Sequence, residues 1–214
     1  MTGKIKVILV DDHAVVRAGF KMLLSTEADI EVIAEADRGE AACQLYLEKQ
    51  PDIMVLDLSM PGIGGLESIR RICSRNSDAK VLVFSVHDEM VYVDRAMNAG
   101  AKGYITKNSA PDILVAAIQK IVVGELYIEQ GLIKTFPLQN SASEYQSVVD
   151  SLSSREFDVF LLLAKGLTAH KIAEELCLGY KTVANYGTQI RNKLDVSTVA
   201  ELAHIAMILG IMKN

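Results

Sequence analysis

Through residue 124 the chain alternates short apolar runs with stretches of helical spacing. The runs Lys6–Val10, Glu31–Ala36, Ile53–Asp57, Val81–Ser85 and Gly103–Thr106 are four to six residues long and rich in Val and Ile. Runs this short and nearly unbroken in apolar character predict strands covered on both faces, the mark of a parallel sheet. Between them, apolar positions recur every three or four residues over Ala14–Ser25, Gly39–Lys49, Leu66–Arg75, Met90–Ala99 and Pro111–Val123, which predicts helices. Pro111 suits the first turn of the last of these, where no backbone N–H is needed. Five β-α units in succession predict an α/β domain with an open, doubly wound, five-stranded parallel sheet. Such sheets bind ligands outside the carboxyl ends of their strands.

From Gly124 to about Ser151 the regular pattern fades, and Phe136 to Ser143 is a polar stretch with a proline, the composition of a linker. Helical signals resume at Ser153-Ser154-Arg155-Glu156, a capping box in which a hydroxyl and a carboxylate satisfy each other's unpaired amides. That helix is expected to run to about Lys165 and stop at Gly166. A second follows Thr168, a third runs from near Tyr180 to Leu194, and a fourth from Thr198 to Leu209. The expected organisation is an α/β domain over 1–124, a linker over 125–150 and a small all-α, four-helix domain over 151–214.

Composition narrows the class. Half of the 214 residues are apolar and 23% are charged, and no run of about 18 apolar residues occurs, so no membrane span is predicted. Residues 1–10 lack the length and small-residue cleavage site of a secretory signal, so a cytoplasmic location is expected. Cys43, Cys73 and Cys177 are odd in number and far apart, which predicts free, mostly buried thiols rather than a disulfide framework or paired zinc ligands. A net charge of −5 argues against a general nucleic-acid coat protein. Any DNA contact must be local. The stretch from Gly179 to Leu194 has no acid while holding Lys181, Arg191 and Lys193, and phosphate contacts would concentrate there.

Three carboxylates fall at predicted strand ends: Asp11 and Asp12 after the first strand and Asp57 at the third. Adjacent strand ends crowd these like charges unless a cation neutralises them, and hard oxygen donors suit Mg²⁺. Ser85 closes the fourth strand and Lys107 follows the fifth. A hydroxyl and an ammonium facing a metal-bound carboxylate make a site for a phosphoryl group carried on that carboxylate. An Asp at a strand end is ordinarily a turn or cap residue; it is the joint placement of acids, hydroxyl and lysine that points to one site.

Val10-Asp11-Asp12-His13, Val55-Leu56-Asp57-Leu58-Ser59-Met60-Pro61-Gly62, Phe84-Ser85 and Lys102-Gly103-Tyr104-Ile105-Thr106-Lys107 resemble the motifs of the receiver family of two-component response regulators, whose sheet is flavodoxin-like. The resemblance implies that Asp57 accepts phosphate from a sensor histidine kinase. It implies that Asp12, Asp57 and the Ser59 backbone carbonyl hold Mg²⁺, with Asp11 acting through metal-bound water, and that Lys107 pairs with the phosphoryl oxygens. Ser85 and Tyr104 would form the switch. The family needs no histidine at His13 or His87, which read as rim or packing residues.

Leu152-Ser153-Ser154-Arg155-Glu156, Leu163-Ala164-Lys165-Gly166-Leu167-Thr168, Lys171-Ile172-Ala173-Glu174-Glu175-Leu176, Lys181-Thr182-Val183 and Lys193-Leu194 resemble the LuxR-type helix-turn-helix output domain. With the receiver, this is similar to the NarL/FixJ class, and Tyr186 with the ending Val199 to Ala206 is similar to its GacA/UvrY branch. The resemblance implies promoter binding, as a homodimer when phosphorylated. Ala184, Asn185 and Thr188 would face base edges, and Lys181, Thr182, Tyr186, Arg191 and Lys193 would hold phosphates. Gly179 stands at a usual Ser cap. Gly187 replaces a frequent Arg or Lys, which predicts roughly 1 kcal/mol of lost helix stability and a missing phosphate contact. Two other readings compete: a helical domain that binds a protein instead of DNA, and a phosphatase attacking through Asp57. The phosphatases that use a strand-end Asp carry a second acid two residues later, where this chain has Ser59, so no enzyme is expected.

Overall fold

In the computed structural model, residues 3–109, 111–132 and 143–212 are described. The first part reads β1 (Ile5–Val10), α1 (Ala14–Ser25), β2 (Ile30–Ala36), α2 (Gly39–Lys49), β3 (Ile53–Leu56), α3 (Gly64–Arg75), β4 (Val81–Ser85), α4 (Met90–Asn98), β5 (Gly103–Thr106), α5 (Pro111–Val122) and β6 (Tyr127–Ile128). The strands are all parallel, in the order β2-β1-β3-β4-β5-β6. The order reverses at β1 and β3, which opens a crevice at their carboxyl ends.

Alternation within the strands sorts the side chains between the faces. Val7, Leu9, Val55, Leu82, Phe84 and Ile105 pack with Leu24 of α1 and with Leu114, Ala117, Ile118 and Ile121 of α5. The intervening Ile8, Met54, Leu56, Val83 and Tyr104 are equally buried and point to the opposite face, where α2 and α3 pack side by side. Gly65, in the first turn of α3, permits a close approach: a Cβ there would collide with the Asp57 carbonyl.

The expected strand count is corrected. The sheet has six strands rather than five, because Tyr127 and Ile128 pair with Gly103 and Tyr104 inside the stretch read as linker. Two residues carry no period to detect. The pairing depends on Gly103, whose missing side chain leaves room for the Tyr127 carbonyl; a Cβ would lie 2.6 Å from it. A 3₁₀ turn at Gln130–Leu132 follows.

The chain separates into two units, Met1–Lys134 and Thr135–Asn214. The second holds α6 (Ser143–Ser151), α7 (Ser154–Ala164), α8 (Ala169–Glu175), α9 (Tyr180–Leu194) and α10 (Val199–Ile208). Thus α6, which packs on α9, precedes the four helices expected. The rest of the polar stretch, 136–142, lies outside the described residues. The capping box forms as expected: Ser153 Oγ accepts from the Glu156 amide at 3.3 Å and Glu156 Oε2 accepts from the Ser153 amide at 2.8 Å. Phe157, Phe160, Ile172, Val183, Ile190, Leu202 and Ile205 fill the core. The three cysteines are free, but Cys43 and Cys73 are only partly buried and Cys177 is exposed, so the expectation of mostly buried thiols fails where Cys177 ends the turn after α8.

Candidate functional site

The crevice at β1 and β3 collects the expected residues. Asp11 directly follows β1, Asp57 follows β3, Ser85 ends β4 and Lys107 follows β5. Because neighbouring parallel strands end together, residues 50 positions apart meet: Lys107 Nζ lies 2.8 Å from Asp57 Oδ2 and 2.6 Å from Asp11 Oδ2. Asp57 is 1% exposed and Asp11 5%. Burial pushes the Asp57 carboxyl above its ordinary value despite the opposing pull of Lys107, and the negative charge of Asp11 adds to the rise. Burial disfavours the Lys107 cation, but Asp57 and Asp11 together outweigh it and hold the ammonium firmly charged.

Ligand atoms of Asp11, Asp12, His13 and Asp57 all lie within 4.8 Å of one another. Asp12 Oδ1 is buried and has no hydrogen bond, with His13 Nδ1 2.9 Å away. A buried carboxylate oxygen left in that state beside two further carboxylates fits a hard divalent cation. His13, more exposed than the acids, also approaches Asp11 Oδ1 at 3.1 Å. The Ser59 amide donates to Asp57 Oδ1 at 3.3 Å.

Ser85 and Tyr104, expected to form the switch, are both fully buried. Tyr104 donates its hydroxyl to the His87 carbonyl at 2.9 Å, and burial holds its phenol far above the ordinary value, so it stays neutral. Ser85 Oγ accepts from the His87 amide at 3.3 Å. His87 packs: its ring stacks on Tyr92 at 4.0 Å, and its Nε2 lies 2.8 Å from Ser59 Oγ. Nothing in the residue order betrays that contact, which joins two loops across the pocket.

In the second unit α9 buries Val183, Gly187, Ile190 and Leu194 against the core. This leaves Lys181, Thr182, Ala184, Asn185, Thr188 and Lys193 exposed and Tyr186 and Arg191 partly so. The α8-turn-α9 pair packs as a helix-turn-helix. Gly187 is buried, and a Cβ there would meet Leu163 at 3.5 Å and the Arg191 guanidinium at 3.6 Å, ordinary contact distances. One contact on this helix goes beyond the expectation. Lys193 is already held by Glu156, 2.8 Å from each carboxylate oxygen. Thr188 donates its hydroxyl to the Ala184 carbonyl at 3.1 Å.

Comparison with known proteins agrees with this arrangement. Residues 7–119 match the response regulator receiver domain, and residues 150–206 match the bacterial regulatory proteins of the luxR family. The chain is 38% identical to the transcriptional activator protein ExaE of Pseudomonas putida, over 97% of this chain and 98% of that protein. It is 38% identical to the response regulator UvrY of Escherichia coli K12, over 97% and 95%. A crystal structure of a LuxR-family two-component response regulator from Aurantimonas superposes with a TM-score of 0.59 at 38% identity, covering 61% of this chain and 93% of that one. The chain belongs to the LuxR-type response regulators: a receiver followed by a helix-turn-helix DNA-binding domain, a transcription factor rather than an enzyme.

Proposed function

We propose that a sensor histidine kinase phosphorylates Asp57 and that the resulting acyl phosphate controls promoter binding by α9. The observation that carries this reading is Lys107, whose ammonium bridges two buried acids at 2.6 and 2.8 Å. When a carboxylate oxygen of Asp57 attacks a phosphorus atom, the donor's oxygen or nitrogen leaves with the electron pair. The acyl phosphate that forms places fresh negative charge beside this ammonium, which is oriented before the reaction starts. Asp12, Asp57 and the Ser59 carbonyl would hold Mg²⁺, with Asp11 in contact through water. Bound there, the ion supplies charge neutralisation for the incoming phosphoryl group. Ser85 would hydrogen-bond a phosphoryl oxygen and Tyr104 would rearrange with it, a two-state element whose equilibrium a few kcal/mol can reverse.

On α9, Ala184, Asn185 and Thr188 would meet base edges, and Lys181, Thr182, Tyr186, Arg191 and Lys193 the phosphates. A dimer would double these contacts, since paired half-sites multiply affinity. The setting would be the cytoplasm; among the described residues no helix is long and apolar enough to cross a membrane.

The test is acetyl phosphate with Mg²⁺. Intact mass should show one added phosphoryl group, labile to hydroxylamine, that Asp57→Ala lacks. Selection from genomic fragments should enrich sites for the treated protein and not for the variant. Equal labelling of both proteins sinks the assignment.

A further inference from the structure

We propose that Glu129 is a positioning residue for Lys107, clamping the turn that delivers the ammonium to Asp57. Glu129 directly follows β6, and its Oε2 accepts three hydrogen bonds from the residues on either side of Lys107. The donors are the Thr106 amide at 2.9 Å, the Thr106 hydroxyl at 3.1 Å and the Ser109 hydroxyl at 2.7 Å. The same turn is closed by the Ser109 amide on the Thr106 carbonyl at 3.1 Å, and the two hydroxyls, 3.1 Å apart, both direct their protons to Glu129. One carboxylate oxygen thus gathers both ends of the segment 106–109.

Glu129 is itself anchored. Its amide donates to the Tyr104 carbonyl at 3.0 Å, and its carbonyl accepts from the Leu132 amide at 3.0 Å. Lys107 lies between the clamped residues, its amide donating to the Ser85 carbonyl at 2.7 Å. A lysine side chain has four rotatable bonds, so the place of its ammonium depends on how firmly its backbone is held. Bonds to a carboxylate are about twice as strong as neutral ones, and two hydroxyls and an amide left without this acceptor would let the turn relax. The β4 contact fixes one side of Lys107; Glu129 fixes the other.

The inference rests on the reading that Lys107 acts on the phosphoryl group at Asp57, and the experiment separates the two. Full-length wild type, Glu129→Ala, Glu129→Gln, Lys107→Ala and the double variant Lys107→Ala/Glu129→Ala are labelled with acetyl phosphate at saturating Mg²⁺, and Mg²⁺ affinity is titrated separately. Glu129→Ala is expected to slow labelling about tenfold or more, in line with the sensitivity of such sites to a misplacement of about 1 Å, with Mg²⁺ affinity unchanged. Glu129→Gln, whose amide oxygen accepts the same three bonds, should recover most of the rate. The double variant should be no slower than Lys107→Ala, because residues acting through one another are not additive. Three results overturn the proposal: wild-type labelling of Glu129→Ala while Lys107→Ala is slow, additive losses in the double variant, or a parallel loss of Mg²⁺ affinity in Glu129→Ala. Wild-type labelling of Lys107→Ala would instead sink the role given to the lysine.

Discussion

Each unit of this chain contains a lysine set 2.8 Å from a largely buried carboxylate, Lys107 with Asp57 and Lys193 with Glu156. The acids respond in opposite directions. Burial raises Asp57; burial also works against the Glu156 charge, but Lys193 and the amide and hydroxyl of Ser153 outweigh it and hold that carboxyl below its ordinary value. The difference lies in how many groups share the stabilisation. Lys107 divides its charge between Asp57 and Asp11, and the hydrogen bond to Asp57 from Ser59 is long, 3.3 Å. Glu156 holds Lys193 at 2.8 Å with both carboxylate oxygens, receives the Ser153 amide at 2.8 Å and sits in the first turn of α7, where the helix dipole favours an anion. An acid that is poorly compensated is available for chemistry; one that is fully compensated is a staple.

The largest contrast is expected from removing each acid. Asp57→Asn should abolish labelling by acetyl phosphate while leaving the melting temperature equal or higher, because Asp11 keeps Lys107 neutralised. Glu156→Ala should do the reverse. Labelling should be unaffected, but the helical unit should lose about 1–3 kcal/mol, since the Ser153 amide loses its acceptor and a lysine loses its partner. Urea unfolding followed by far-ultraviolet circular dichroism and intact mass of the two variants decide this; a destabilised Asp57→Asn would show that the receiver pair is also a staple.

A smaller effect separates the lysines of α9. Lys181 is exposed, so Lys181→Ala should weaken all DNA sequences alike and flatten the salt dependence by about one unit. Lys193 must share its charge with Glu156, and Lys193→Ala should flatten the slope by less. Asn185→Ala, by contrast, should cost roughly 1–3 kcal/mol and relax base preference without changing the slope. Titrations on a selected and a scrambled site at several salt concentrations measure all three, and equal slopes for the two lysine variants would mean that Glu156 releases Lys193 on binding.

What residue order reveals here follows from period and length. The helices of the receiver carry enough turns to show their apolar stripe, so α1 and α2 fall where the pattern puts them, at Ala14–Ser25 and Gly39–Lys49. Asp11, Asp57, Ser85 and Lys107 were legible because the ends of parallel strands are neighbours by construction. β6 was not, since its two residues have no periodicity and its pairing depends on space left by Gly103. Glu129 was hidden with it, inside a stretch that reads as linker. The burial of Gly187 was not legible, because a glycine carries no side chain to mark its face as buried. The pairing of Lys193 with Glu156, 37 positions away, has no local signal: a basic residue on an acid-free helix reads as a phosphate contact until the fold supplies its partner.

The finest test of the comparison is acid. Because Glu156 is held below its ordinary value when folded, its contribution to stability is complete above the ordinary glutamate value of about 4.3 and is lost as pH falls through the lower folded value. Part of that lowering comes from Lys193, whose side chain is 41% exposed, so the effect is small and screened by salt. Wild type should therefore hold an advantage over Lys193→Ala at pH 7 that shrinks towards zero in the acid range. Asp158, within 3.7 Å of Arg155 in the first part of the same helix, is present in both proteins and cancels in the difference. The measurement is hydrogen exchange of peptides from α7 and α9 at low salt over the acid range, corrected for the intrinsic pH dependence of exchange. If the difference in protection persisted unchanged after Glu156 is protonated, the lysine would be contributing through its methylene stem and not through the ion pair, and the contrast with Asp57 would have to rest on the Ser153 cap alone.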